Sequence, residues 1–102
     1  MSNLTKAQIR QLRSMANELK PVVIIGKDDL TASVAQRTEE YLDAHELLKG
    51  SVLDTCSLTP QHAAEILAMR AHAELVQVIG RKFVLYRHTR RKGVKQIQLV
   101  QE

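Results

Sequence analysis

The sequence predicts a small α/β domain: a mixed four-stranded sheet covered by helices, in the order α-β-α-β-α-β-β. Three observations predict it. Apolar residues recur at helical spacing in three separate stretches. Short apolar runs, of strand length, follow each of them. The last two runs are separated only by Gly80-Arg81, too little chain for a crossover, so they must pair as an antiparallel hairpin. Alternation of helices and strands earlier in the chain favours parallel pairing through crossovers.

The first helix opens at Thr5 and Gln8, which have the spacing of a capping box. Ile9, Leu12, Ala16 and Leu19 form its apolar stripe. Pro21 ends it by biasing Lys20 away from helical geometry. Val22 to Ile25 is long enough for a buried strand and too short for a helix. The second helix follows from about Thr31, with Leu30, Val34, Thr38, Tyr41 and Leu42 inward and Glu39, Asp43 and Glu46 outward. Leu47 to Leu53 reads as a strand weakened by Gly50. Thr59 at N-cap and Pro60 at N1 open a third helix that runs to about Ala73. Leu75 to Ile79 and Lys82 to Arg87 complete the sheet, with Phe83 and Leu85 on one face and Val84 and Tyr86 on the other. Beyond His88 the chain is basic and irregular, and Gln96 to Val100 alternates weakly enough to suggest a short edge strand.

Composition narrows the function. At 102 residues, 44% apolar and 25% charged, the chain fits one ordinary soluble domain. No apolar run approaches the ~20 residues of a membrane span, and no signal-peptide core is visible, so neither membrane nor export is expected. Cys56 is the only cysteine, which fits a reducing cytoplasm. It shares no zinc-ligand spacing with His45, His62, His72 or His88. Cys56 near His62 is better read as a packing thiol than as a nucleophile with its base. Phosphate-binding and dinucleotide fingerprints are absent. The expectation is a protein without catalytic, metal or cofactor site and without a small-molecule substrate.

The charge distribution is informative. Residues 75–102 hold seven basic residues against one acidic, for +6; residues 1–74 hold eight against ten, for −2. A concentrated basic end suits a polyanion, because each neutralised phosphate releases condensed counterions. Three groups of candidate contacts emerge. Lys6, Arg10, Arg13, Asn17 and Lys20 fall at spacings of 4, 3, 4 and 3, one polar stripe along the first helix. Gly26 and Lys27 occupy the turn that delivers the second helix, where unpaired N–H groups suit a phosphate. Arg81 and Lys82 sit at the hairpin turn, and Arg90, Arg91, Lys92 and Lys95 follow in the tail. A solvated helix face and a plain capped turn are the competing readings of the first two. Only Tyr41, Phe83 and Tyr86 are aromatic, so recognition by RNA shape is expected over stacking of single-stranded bases.

At these residues the chain resembles a known family. Leu19-Lys20-Pro21-Val22-Val23-Ile24-Ile25-Gly26-Lys27, then Leu30-Thr31, His45-Glu46-Leu47-Leu48-Lys49, Gln77-Val78-Ile79-Gly80-Arg81 and Val84-Leu85-Tyr86-Arg87 follow in the order and spacing of a CRM domain of the stand-alone bacterial YhbY type, over residues 4 to 88. The resemblance implies a fold similar to the C-terminal domain of translation initiation factor three. It also implies binding to RNA, specifically rRNA in precursors of the large ribosomal subunit. The family's G-x-x-G turn falls on Gly26-Lys27-Asp28-Asp29, with Asp29 at the second glycine. Gly50 and Ser51 stand where a β-branched and a basic residue are common, leaving Lys49 as the charge of that strand. The expected organisation is therefore a CRM-type RNA-binding domain over residues 1–88 and a basic tail over 89–102 that is dispensable for stability. The molecule is expected to be a cytoplasmic monomer. A protein adaptor that docks on a ribosomal protein or assembly GTPase through the acidic second helix is the alternative.

Overall fold

The computed structural model describes residues 4–89, 93, 94 and 96–101. Its elements are α1 (Lys6–Ala16), β1 (Val23–Ile25), α2 (Ala32–His45), β2 (Leu47–Val52), α3 (Pro60–Arg70), β3 (Glu74–Ile79) and β4 (Lys82–Tyr86). The predicted order holds. The sheet runs β1-β2-β4-β3, with β1 and β2 parallel and the other two pairings antiparallel.

Local chemistry sets the helix starts. The Gln8 N–H donates to Thr5 Oγ1 at 3.1 Å and the Thr5 N–H to Gln8 Oε1 at 3.0 Å, the expected reciprocal cap. Thr31 and Thr59 accept from the Val34 and His62 N–H groups in the same way. The third helix stops at Arg70 rather than near Ala73, because His72 turns into the left-handed region at φ 56°.

Two cores lie on opposite faces of the sheet. Val23, Ile25, Leu48, Val52, Phe83 and Leu85 pack beneath α2 and α3, with Leu42 and Leu67. Leu47, Val76, Val84 and Tyr86 pack beneath α1, with Leu12 and Ala16. Each fully buried Leu or Phe contributes about 1.5–3 kcal/mol, so the two-faced hairpin predicted from its alternation anchors both layers. Gly50 does not weaken β2. It pairs directly with Phe83, and a Cβ at position 50 would fall 2.2 Å from Phe83 Cζ. The ring takes the space a side chain would occupy.

Two further expectations change. Glu46 is not on the outer face of α2. It caps the helix at φ 65°, which turns its side chain inward, and it is fully buried. Its Oε2 accepts from the Thr89 N–H at 2.7 Å and its Oε1 from the Ile97 N–H at 2.6 Å, while His88 Nδ1 stands 3.0 Å from Oε2. The edge strand expected over Gln96 to Val100 is not formed. Those residues dock on α1 instead: Gln8 donates to the Val100 carbonyl, and Gln11 pairs with the Gln98 carbonyl and the Val100 N–H. Ile97 and Leu99 pack on the α1-side core. The end of the chain is thus clasped to the domain rather than hanging from it.

Candidate nucleic-acid interface

Strand register decides which turns meet. Ile25 pairs with Val52, Ser51 with Lys82, and Lys82 with Ile79. The Gly26–Asp29 turn, the loop after Val52 and the Gly80-Arg81 turn therefore share one end of the sheet. Backbone hydrogen bonds lock them there: Leu53 N–H to the Ile25 carbonyl at 2.8 Å, and Val52 N–H to the Arg81 carbonyl at 2.7 Å. Gly80 takes φ 56°, which glycine adopts without a Cβ clash.

In the first turn the Asp29 N–H donates to the Gly26 carbonyl at 2.9 Å. The left-handed residue is Asp29 itself, at φ 56°, so the position where the resemblance implies glycine has a glycine-like backbone here. A Cβ on Gly26 would press on Leu53 Cδ1 at 3.3 Å. Asp29 accepts from the Ser57 hydroxyl at 2.6 Å, the Ser57 N–H at 3.0 Å and the Cys56 thiol at 3.3 Å. The Ser57 hydroxyl, its N–H and then the Cys56 thiol hold the Asp29 carboxyl below its ordinary range. The acid is occupied with the 53–57 loop, and Lys27 stands exposed at the tip of the turn. Burial pushes the Cys56 thiol up, which favours its protonated form.

The other predicted cations divide by what they touch. Arg81 donates from its guanidinium to the Val52 carbonyl at 3.4 Å, which ties its head group to the sheet end. Lys82 is exposed on the α1 side of the sheet. Arg10 and Arg13 line a groove with Ser14 and Asn17 against Gln77 and Ile79 of β3, the strand that runs into the Gly80 turn. Lys20 is exposed at the far end of β1, a strand only about 10 Å long. Lys49 is half-buried and donates to the Ala16 carbonyl at 3.3 Å, where it complements the C-terminus of α1. Arg90, Arg91, Lys92 and Lys95 lie outside the described residues. Among the described residues, none of Arg10, Arg13, Lys20, Lys27 and Lys82 is paired with a carboxylate.

Arg87 behaves differently. Its guanidinium bonds Asp43 at 2.6 Å, stands 3.5 Å from Glu39 Oε1, and donates to the carbonyls of Ala71 and Glu39. The acidic stripe of α2 is therefore not a free face. Sequence reasoning also missed Ile24 and Ile79, which are exposed at 57% and 58% on the α1 side of the two edge strands. Their parity opposite the buried Val23 and the half-buried, core-facing Val78 was the available signal.

The arrangement defines a small α/β module whose unpaired positive charge gathers at one end of a mixed sheet and along the adjoining helix. The chain belongs to the CRS1 / YhbY (CRM) domain family, whose model matches residues 4–87. It is 40% identical to the probable RNA-binding protein YqeI of Bacillus subtilis over 96 residues, 94% of this chain and 98% of that one. It is 36% identical to an RNA-binding protein of Haemophilus influenzae, over 85% of this chain and 88% of the relative. The solution structure of the Staphylococcus aureus protein SAV1595 superposes with a TM-score of 0.78 at 35% identity, covering 95% of this chain and 99% of that one.

Proposed function

We infer that the protein is a non-enzymatic RNA-binding protein that binds rRNA and associates with precursors of the large ribosomal subunit, acting as a cytoplasmic monomer. The observation that carries the reading is the separation of charge. Among the described residues Arg10, Arg13, Lys27 and Lys82 have no carboxylate partner around one sheet end, while Glu39, Asp43 and Glu46 are occupied at the other. A phosphate backbone is the partner that satisfies such a surface. The names of the relatives support the same polyanion. The adaptor alternative is less favoured, since Arg87 engages Glu39 and Asp43 and Glu46 is buried.

Phosphate contacts position a protein without reading sequence. The proposed role is to hold a folding rRNA segment while neighbouring segments assemble. For about five phosphate contacts, log K against log salt should fall with a slope of roughly −3.5 to −4.5. Titration of labelled rRNA fragments at several salt concentrations measures it, and a flat response sinks the electrostatic account. Crosslinking in cells with sequencing of the bound RNA should recover large-subunit rRNA. Recovery of other RNA classes alone would remove the assembly role.

A further inference from the structure

A strip of the sheet is left bare beside the end of α1. The helix lies against β2, β3 and β4. Beyond its C-terminus one residue from each strand lines up on the same face: Ile24 pairs with Ser51, Ser51 with Lys82, and Lys82 with Ile79. Four strands at their usual spacing make this row about 14 Å wide. Its two flanks are isoleucines more than half exposed, Ser51 makes a shallow centre, and Lys82 supplies one charge. The Arg10–Arg13 groove shares Ile79 with it. The Gly26-Lys27 turn begins at the residue after β1.

We propose that this strip receives unpaired nucleobases of the bound RNA, with Ile24 and Ile79 as apolar contacts and Lys82 beside the phosphate between them. The proposal rests on the RNA-binding reading and adds a preference to it. A paired duplex shows its surroundings mainly phosphate and sugar, which a cationic rim alone can hold. A splayed base offers a flat apolar face, and that is what two bare isoleucines can cover. A second copy stacked with the rows aligned would oppose Lys82 with Lys82; with one row reversed Lys82 would face Ser51, an arrangement that sedimentation tests. The inference replaces shape-only recognition, expected from the scarcity of aromatics, with shape plus aliphatic base contact.

The test compares a short oligouridylate with an RNA duplex of equal length. The double variant Ile24→Thr/Ile79→Thr keeps β-branched residues on both strands, so the sheet is retained. It should lose affinity for the oligouridylate about tenfold, with the salt slope unchanged, and for the duplex less than about twofold. Equal losses on both RNAs, or none on the oligouridylate, overturn the proposal while leaving phosphate binding intact. Failure of the wild-type protein to bind either RNA overturns the RNA-binding reading itself and this one with it. A second measurement needs no variant. An oligouridylate carrying 4-thiouridine, photocrosslinked to the wild-type chain, should mark peptides containing Ile24, Lys82 or Ile79. Marks confined to other peptides overturn the assignment. So does a concentration-dependent dimer in sedimentation that the double variant abolishes.

Discussion

At the Gly80 end of the sheet, Lys27 and Lys82 face solvent with no carboxylate partner among the described residues; at the opposite end, Arg87 and His88 meet Glu39, Asp43 and Glu46 within hydrogen-bond or ion-pair distance. Both ends carry several charges, but the first end has cations without a carboxylate. At the second the acids are engaged, and among the described residues Lys20 stands exposed there without a carboxylate partner. Paired and partly buried charge holds elements together, because removing one partner strands the other. Unpaired exposed charge contributes little to folding and is available to a ligand. The contrast predicts that substitutions at the first end change affinity and substitutions at the second change stability.

The largest effect is expected at Glu46. Its carboxylate is fully buried and accepts two backbone N–H groups from the end of the chain. Glu46→Ala leaves those donors without their acceptor and should cost about 2–4 kcal/mol, lowering the melting temperature by roughly 10–20 °C. Deleting residues 89–102 should be comparably harmful, because it uncovers Glu46 and the Ile97 and Leu99 contacts. That reverses the expectation of a dispensable tail. Thermal unfolding of both variants checks it. A loss of affinity at unchanged stability would return the tail to the role of a free electrostatic arm.

Arg87→Ala comes next. The guanidinium joins α2, the end of α3 and the end of β4 through Asp43 and the carbonyls of Glu39 and Ala71. Its loss should cost about 2 kcal/mol in chemical denaturation and leave RNA affinity within about twofold. A large affinity loss without destabilisation would move the interface to this end of the molecule.

How much of this was legible in the sequence follows the range of the interactions. The three helix starts were readable because each cap lies within three residues of its partner. Lys27, Arg81 and Lys82 were readable as exposed cations because turns expose whatever side chains they carry. Glu46 was misplaced with Glu39 and Asp43 because helical periodicity was extended one residue too far. The helix ends at His45, and a left-handed residue there turns its side chain inward. Gly50 looked like a weak point because its partner Phe83 is 33 positions away in the chain. Arg87 was counted with the basic end for the same reason, since the acids it meets are more than 40 residues distant. Local rules carried the elements; the division of charge into structural and free needed the packed sheet.

At the other end, Lys27→Glu should leave the melting temperature within about 2 °C of wild type, since Lys27 has no ion-pair partner among the described residues. RNA affinity should fall about five- to tenfold, and the salt slope should flatten by roughly 1. Fluorescence anisotropy at several salt concentrations reads both. Unchanged affinity would remove the Gly26-Lys27 turn from the site.

Asp29→Gly should give the smallest and most diagnostic change, because Asp29 belongs to both sides of the comparison. It stands at the ligand-facing end, yet it holds structure through Ser57 and Cys56. Glycine removes the cost of a left-handed Asp and loses those hydrogen bonds, so the two effects oppose each other and net stability should move little near neutral pH. The acid side should change more clearly. Because the folded-state pKa of Asp29 lies below its ordinary value of 3.8, its stabilisation is complete above that value and is lost as pH falls through the lower one. At low pH the protonated wild-type carboxyl has lost that stabilisation while the glycine variant keeps its relaxed backbone, so the variant should be the more stable there, and the difference should close as pH rises through that range. Removing a negative charge next to Lys27 should also raise RNA affinity, by about twofold. If affinity instead falls, the Ser57 staple is what presents Lys27 to the RNA, and the turn's shape outweighs its charge.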